Sequence, residues 1–392
     1  MGQGLGSRKK EVARSLRVMI AGGGTGGHVI PALAIGRELR DVHGAEVRFV
    51  GTARGLETRL VPEAGFPLDL VRSGQLKGVS LLTRAKTLLD LPVGVVRCMR
   101  LMRVFKVDVV VGVGGYASGP AMMAALLLHI PTLAFEPNAV PGLTNRIVGK
   151  WVSAAAVNFA ETTKYFRRAT VTGIPVRADF FTIAPKTVPR TEVVRESLSY
   201  IPLNKEIRPL HLLVFGGSQG ARIFNVTMPK IARQLLDYIP DLHILHQSGA
   251  GADVKTREAY VESGADPARW QVEAYLDDMP RRFADADLIL CRSGASTVAE
   301  LAAAGRASVL VPFPGAADDH QMKNAEAFER VGAAELRVQN ADEFMPSFLF
   351  SDLSALLSSY ERRIAMGERA RTLAHPDAVE RIAGMVVGLA KV

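Results

Sequence analysis

Short continuous apolar runs alternate along this chain with segments whose apolar residues recur at helical spacing. In the first half the runs are Val18–Ala21, Glu46–Val50, Leu68–Val71, Asp108–Val111 and Thr132–Glu136, which read as buried strands. Val29–Arg40, which carries apolar residues at helical spacing (Ile30, Leu33, Ala34 and Leu39), reads as a helix after the first of them. The scheme restarts at His211–Phe215 and repeats through Leu242–His246, Asp287–Cys291 and Ala307–Pro312. Strands apolar on both faces that alternate with helices predict parallel sheets covered on both sides. The expected fold class is therefore α/β, with two Rossmann-like doubly wound domains facing a cleft. Thr172–Pro209, rich in proline and charge, is the expected linker.

Glycines cluster where these strands should end. Gly22-Gly23-Gly24-Thr25-Gly26-Gly27-His28 places five glycines between a strand and a helix, leaving main-chain N–H groups open to an anion or a hydroxyl-rich ligand. A tight turn alone explains one or two of them. Further glycine turns follow at Gly112–Tyr116, Gly216–Ala221 and Arg292–Ser296. A dinucleotide site would need an acid at the end of the second strand to hold a ribose, but Glu46–Val50 runs into Gly51-Thr52. A nicotinamide-dependent oxidoreductase is thereby the weaker reading.

The 392 residues suit two domains, and the net charge of +9 is unevenly spread. Residues 1–177 hold 24 Lys/Arg against 11 Asp/Glu, a balance of +13; residues 178–392 hold 24 against 28, a balance of −4. The first half should thus face a polyanion, and with no aromatic-basic interleaving or zinc-finger spacing an anionic membrane is favoured over nucleic acid. Cys98 and Cys291 lie in apolar runs and read as buried thiols of a reducing compartment. Residues 1–16 are polar and basic, without the apolar stretch of a secretory signal, and Gly6 stands where a myristoylation motif needs Ser or Thr. The uncharged stretch Tyr116–Phe135 is divided by Gly119, Pro120 and Pro131 into a helix and a strand, so no transmembrane span is expected.

The joint pattern of Gly-Gly-Thr-Gly-Gly-His28, Gly114–Pro120, Glu136-Pro137-Asn138, Thr172–Arg177, Gly216–Ala221 and Cys291–Glu300 resembles the MurG-type transferases. These are the UDP-N-acetylglucosamine:N-acetylmuramyl-(pentapeptide) pyrophosphoryl-undecaprenol N-acetylglucosamine transferases of bacterial peptidoglycan synthesis. The resemblance runs from Arg17 to Val392 and implies the GT-B fold: a basic extension at 1–16, an acceptor and membrane-facing domain at 17–175, a UDP-GlcNAc-binding domain at 176–374, and a C-terminal helix at 375–392 returning to the first domain. It also implies an inverting transfer of GlcNAc to lipid I, giving lipid II. The partners would be UDP-GlcNAc, a lipid-linked MurNAc-pentapeptide and the anionic cytoplasmic face of the cell membrane, with no nucleic acid. Another GT-B enzyme, such as a glycolipid transferase or a UDP-GlcNAc 2-epimerase, would share Ser218 and Glu300 but not the whole first-domain pattern; a non-catalytic basic binding protein would need none of the ligand loops.

The implied donor site comprises Thr25, Gly26, Gly27, Asn138, Arg177, Ser218, Gln219, Leu276, Ala295, Ser296, Thr297, Val298, Ala299, Glu300 and Gln321. Ser218 and Gln219 are expected at the start of a helix, where a hydroxyl and main-chain donors suit a diphosphate and where Ser218 can equally act as an N-cap. Glu300 can accept from two ribose hydroxyls, its apolar neighbours Val298, Ala299 and Leu301 arguing against a merely solvated acid. The backbone of Leu276 lies where the family meets uracil, although its side chain suits a core. Gln321 offers a sugar edge both a donor and an acceptor; Met322 and Ile174 depart from the family pattern, which often has Gln and Asn there. Arg177 suits a phosphate, and Asn138 a neighbouring turn.

His28 is the candidate general base. At a helix start the positive end of the dipole disfavours its charged form, although a structural histidine bonded to a nearby carbonyl fits the same position. Asp285-Ala286-Asp287 matches the D-x-D string of metal-dependent transferases but sits between a helix end and a strand; no metal and no cofactor are expected. From Val71 to Val107 eight Lys/Arg stand against one acid, interleaved with leucines. Lys77, Leu81, Leu82, Arg84 and Lys86 form the expected membrane-facing stretch.

Overall fold

The computed structural model describes residues 14–53, 55–74, 81–187, 208–339 and 346–391, without the side chains of 81–89 and 317. Lys77 and the side chains of Leu81, Leu82, Arg84 and Lys86 therefore lie outside the described residues. In chain order the strands are β1 (Arg17–Ala21), β2 (Glu46–Gly51), β3 (Leu68–Leu70), β4 (Val109–Gly112), β5 (Thr132–Glu136), β6 (Ala154–Val157), β7 (Ala169–Val171), β8 (Leu210–Phe215), β9 (Leu242–Gln247), β10 (Trp270–Glu273), β11 (Leu288–Cys291), β12 (Ser308–Leu310) and β13 (Glu335–Leu336). The α-helices are α1 (Gly26–Asp41), α2 (Glu57–Glu63), α3 (Leu81–Phe105), α4 (Ser118–Leu127), α5 (Leu143–Val148), α6 (Ala178–Phe181) and α7 (Arg222–Tyr238). They continue as α8 (Asp253–Glu262), α9 (Met279–Asp285), α10 (Ala295–Ala304), α11 (His320–Arg330), α12 (Pro346–Ser358), α13 (Tyr360–Arg371) and α14 (Ala378–Ala390).

Seven strands form one sheet in the order β3-β2-β1-β4-β5-β6-β7, and six form another in the order β10-β9-β8-β11-β12-β13. Neighbouring strands pair in parallel, for example Val18 with Val47 and Val109, and Leu213 with Leu245 and Ile289. The expected α/β fold with two parallel sheets is borne out. Each sheet reverses its winding beside its first strand, between β1 and β4 and between β8 and β11. Ligands of open α/β sheets bind at such a reversal, beyond the carboxyl ends of the strands, and the glycine turns lie there.

By contacts the chain divides into one unit of residues 1–135, 151–154 and 380–392 and a second of residues 136–150 and 155–379. In the first, Met19, Ile20 and Ala21 of β1 and Val109, Val110 and Val111 of β4 are wholly buried. In the second, alternation along β8 feeds two cores. Leu212 and Val214 pack with Phe224, Met228 and Leu235 of α7, whereas Leu213 and Phe215 pack with Phe283, Val298 and Leu301.

Three local differences from the expectation have physical reasons. The short strands β6, β7, β10 and β13 were not foreseen, since sequences such as Ala154-Ala155-Ala156-Val157 carry little strand propensity and are fixed by their neighbours. Thr172, Gly173, Ile174 and Pro175 are buried rather than part of an open linker. Helix α7 begins at Arg222, so Ser218 and Gln219 precede it. Gly217 and Gly220, at φ +84° and +69°, turn the chain there in a way no helix can. The N-cap is Ala221, without a side-chain cap, so Ser218 does not cap this helix.

Candidate functional site

In the first unit the glycine run carries β1 into α1 and sets His28 as the third helical residue after the N-cap Thr25. The imidazole Nδ1 lies 2.9 Å from the main-chain oxygen of Val113, at the end of β4. A carbonyl only accepts, so Nδ1 donates and the lone pair resides on Nε2. Both expectations for His28 thus meet in one residue: the bond to a carbonyl exists, and it fixes the tautomer a base needs. Gly114, at φ +90°, makes room for the ring, since a Cβ there would lie 2.8 Å from Cε1 of His28.

The five glycines are not equivalent. A Cβ at Gly22 would meet the Val113 side chain and one at Gly23 the Glu57 carboxylate, while Gly24 needs its φ of +97°. At Gly26 and Gly27 the nearest atoms would be 3.6 Å and 3.9 Å away. The fold itself therefore demands three glycines, and the two in the first helical turn leave the main chain bare beside the exposed Thr25. Open N–H groups at that turn are what an anion or a sugar hydroxyl requires.

The second unit assembles most of the other candidates. The Gly216–Ala221 turn closes with Gly220 N–H donating to the Gly217 oxygen at 2.9 Å, and Gln247 Nε2 donates to that same oxygen at 3.0 Å. Ser218 and Gln219 stand exposed at its tip. A Cβ at Gly220 would collide with the Ser248 carbonyl, and one at Gly249 with the Gln219 carbonyl. Two loops at adjacent strand ends are thus in backbone contact. Behind them, buried His246 bridges Asn225 Oδ1 at 3.1 Å and the Tyr260 hydroxyl at 3.2 Å, and burial holds the imidazole down at about 3, hence neutral.

Helix α10 starts at Ala295 with Gly294 as N-cap and no side-chain cap, which leaves the first-turn N–H groups of Ala295, Ser296 and Thr297 without an intrahelical acceptor. The Ser296 hydroxyl is buried and has no hydrogen-bond partner among the described residues. Val298 and Leu276 pack their side chains into the core, so any ligand contact at these two is through the main chain, and Ala295 is buried at the helix start. Ala299 is half-buried in the next turn.

Glu300 makes no hydrogen bond among the described residues. Burial raises its carboxyl to about 7, with the Arg177 guanidinium pulling the other way. Arg177 itself is exposed and lies 5.2 Å over the Phe180 ring. A desolvated carboxylate without donors gains when ligand hydroxyls supply them.

Gln321 is the second residue of α11, with Oε1 accepting from the Phe313 N–H at 2.9 Å, which fixes the amide so that Nε2 is its donor end. The two residues before that helix, Asp318 and Asp319, both have left-handed backbones, at φ 55° and 52°. Non-glycine residues at such angles cluster at ligand-binding segments. Asp318 is held by Arg146 at 2.8 Å.

Sequence reasoning missed Asn324, Arg292 and Glu57. Asn324 is wholly buried; its Nδ2 donates to the Ser293 oxygen at 3.1 Å and to Asn138 Oδ1 at 3.3 Å, and its Oδ1 accepts from the Ala139 N–H at 2.9 Å. Asn138 also donates to Glu136, so its amide serves as a tie within this unit. Glu136 accepts from Asn138, Gly142 and Asn145, and burial still raises its carboxyl. Arg292 donates to the Val311, Pro312 and Gln339 oxygens between the rings of Phe224 and Phe313. The second aspartate of Asp285-Ala286-Asp287 is taken up by Arg208, by Lys186 at 3.3 Å and by the His211 N–H at 3.0 Å, which makes it a structural ion pair.

Comparison with known proteins agrees with this layout. Residues 18–157 match the glycosyltransferase family 28 N-terminal domain and residues 211–382 its C-terminal domain. The chain is 43% identical to the UDP-N-acetylglucosamine–N-acetylmuramyl-(pentapeptide) pyrophosphoryl-undecaprenol N-acetylglucosamine transferase of Solibacter usitatus, over 95% of this chain and 96% of that one. The chain belongs to the MurG family of glycosyltransferases. A MurG relative from Myxococcus xanthus is 39% identical over 95% of this chain and 93% of its own. The crystal structure of Acinetobacter baumannii MurG, 31% identical, covers 95% of this chain and 99% of its own with a TM-score of 0.77. A UDP-N-acetylglucosamine 2-epimerase structure from Listeria monocytogenes, 14% identical with a TM-score of 0.65, covers 94% of this chain and 95% of its own and shares the fold alone. The resemblance read from the motifs is borne out, and the chain is a glycosyltransferase.

Proposed function

We propose that this protein transfers the N-acetylglucosaminyl group of UDP-N-acetylglucosamine to the N-acetylmuramyl hydroxyl of lipid I, giving the β-1,4-linked disaccharide of lipid II in peptidoglycan synthesis. The observation that carries this is the identity of 43% across nearly the whole of both chains with a relative bearing that activity in its name. The hydroxyl oxygen attacks the anomeric carbon, the bond from that carbon to the UDP oxygen breaks on the opposite side, and the hydroxyl proton passes to Nε2 of His28. An α-linked donor then yields a β-linked product.

In this reading the donor is held by the second unit. Glu300 accepts from ribose hydroxyls, Gln321 meets the sugar, and the α10 N–H groups with Ser296, Ser218 and Gln219 receive the diphosphate. Dipoles fixed before the reaction stabilise the charge that develops on the departing UDP. The acceptor arrives from the cytoplasmic face of an anionic membrane, a reading supported by the eight cations against one acid in 71–107. Among the described residues no helix is long and apolar enough to cross a membrane. Incubation with UDP-GlcNAc and a lipid-linked MurNAc-pentapeptide analogue should release UDP and form the β-linked disaccharide; UDP release without the disaccharide would refute the acceptor.

A further inference from the structure

Glu57 is an acid that the reaction does not use, and it is almost completely buried, with 1% of its surface exposed. It opens α2 five residues beyond the place where a dinucleotide fold would keep its ribose-binding acid. Instead of facing a ligand, it faces the chain. Its Oε2 accepts from the Gly24 N–H at 2.7 Å, and its Oε1 accepts from the N–H and the hydroxyl of Thr52 at 2.9 Å and 3.0 Å. The neighbouring Leu56 N–H donates to the Gly24 carbonyl at 3.1 Å. Residue 24 is thus gripped on both its N–H and its C=O by the segment that follows β2.

The surroundings are shaped to this carboxylate. A Cβ at Gly23 or Gly55 would collide with its oxygens, and one at Gly51 would lie 2.6 Å from its Cγ. Burying a carboxylate is costly unless its lone pairs are met, so three donors on two oxygens are the condition for its being there. A loop that only had to turn could be closed by main-chain bonds without that cost.

We propose that Glu57 is a positioning residue for His28. It fixes the main chain immediately before the N-cap Thr25, and Val113 fixes the far end of the same segment through the ring. Between the two anchors lie only the first turn of α1 and the bare main chain of Gly26 and Gly27. The place of His28 Nε2 follows from both. Loss of the carboxylate lets the loop move, and misplacement of a reacting group by about 1 Å costs on the order of a hundredfold in rate. The proposal rests on the reading of His28 as the base.

The test is a double-mutant cycle on the full-length protein, with turnover and donor affinity read separately. Glu57→Gln puts an amide NH2 against an N–H donor and should lower kcat about tenfold or more, with calorimetric affinity for UDP-GlcNAc unchanged. In the His28→Ala background the same substitution should cost nothing further, because the group it positions is gone. If the two losses multiply, or if Glu57→Gln turns over normally, Glu57 does not act through His28 and the proposal falls while the base stands. Normal turnover of His28→Ala alone would remove the base itself, and the positioning role with it. Should the melting profile show that Glu57→Gln does not fold, Glu57→Asp carries the same cycle, since it keeps the charge and withdraws the oxygens by one methylene.

Discussion

The main-chain oxygen of Val113 holds the Nδ1 proton of His28 across 2.9 Å and so decides which imidazole nitrogen can take a proton. His28→Ala should therefore lower turnover by about a hundredfold or more, the scale of a positioned base. Donor affinity, which the proposed reading assigns to the second unit, should hardly change. His28→Gln keeps a hydrogen-bonding group but not the basicity. Near-normal turnover of that variant from pH 6 to pH 9 would make His28 structural.

With Glu300 in its proposed donor-binding role, UDP-GlcNAc binding should be sensitive to pH. Burial raises the Glu300 carboxyl to about 7, above the ordinary 4.5, so below that pH the protonated form is favoured in the free protein. The stability this contributes is fully present below about 4.5 and is lost as pH rises through about 7. Glu300→Gln should accordingly gain in melting temperature on the wild type as pH goes from 5 to 8. Ribose hydroxyls need the ionised form, so UDP-GlcNAc should bind more tightly as pH rises from 6 to 8 and release protons near 6.5. Calorimetry in buffers of different ionisation enthalpy measures that release; none detected, together with unchanged affinity in Glu300→Ala, would remove Glu300 from the donor site.

Arg292 stabilises the loop that orients Gln321. Burial brings its guanidinium down to about 10, still charged at neutral pH, and it carries three acceptors. Arg292→Met leaves two main-chain oxygens without their donor and should cost about 2–4 kcal/mol in urea unfolding. Arg292→Lys should recover little, because one ammonium cannot replace a planar fork. A change within 0.5 kcal/mol, roughly the size of a neutral surface substitution, would contradict this account.

Transfer should proceed without added divalent ions, Asp287 being engaged by Arg208, Lys186 and the His211 N–H. Asp287→Asn should lower the melting temperature and leave the response to EDTA unchanged. Activity abolished by EDTA and restored by magnesium would reverse the assignment.

Association with anionic vesicles should depend on the basic stretch of residues 71–107. Replacing Lys77, Arg84 and Lys86 together by Glu should abolish co-sedimentation at low salt, and salt should weaken the wild type in the same assay. Undiminished co-sedimentation would move the membrane face elsewhere.

The glycine turns were legible because several glycines at a strand end leave few other readings, and the apolar runs located nine of the thirteen described strands. The other four, β6, β7, β10 and β13, were not legible: Glu335-Leu336 carries no pattern that a loop lacks. Ser218 was placed on a helix because the apolar stripe of α7 can be read back to Ala221, whereas the positive φ at Gly217 and Gly220 is visible only in three dimensions. Gln321 and Glu300 could be picked out by type and motif. Glu57 and Asn324 could not, because their partners are main-chain groups and distant amides, and an acid or amide at the start of a helical stretch ordinarily reads as solvated. The consecutive left-handed aspartates were within reach as Asp-Asp before a helix, but nothing in the string distinguishes them from a first turn.

Residues 380–392 group with residues 1–135 rather than with the 225 residues of 155–379 that precede them. Along α14 the buried positions 378, 382 and 386 recur every fourth residue, a stripe made to be covered. On a ribosome this has a consequence in time. At a synthesis rate of about 5–20 residues per second, roughly 10–50 s separate the emergence of Phe135 from that of Glu380. Throughout that interval the unit that carries His28 is made but incomplete, and a nascent chain paused before Glu380 should display it in a state that proteases cut and holdase chaperones bind.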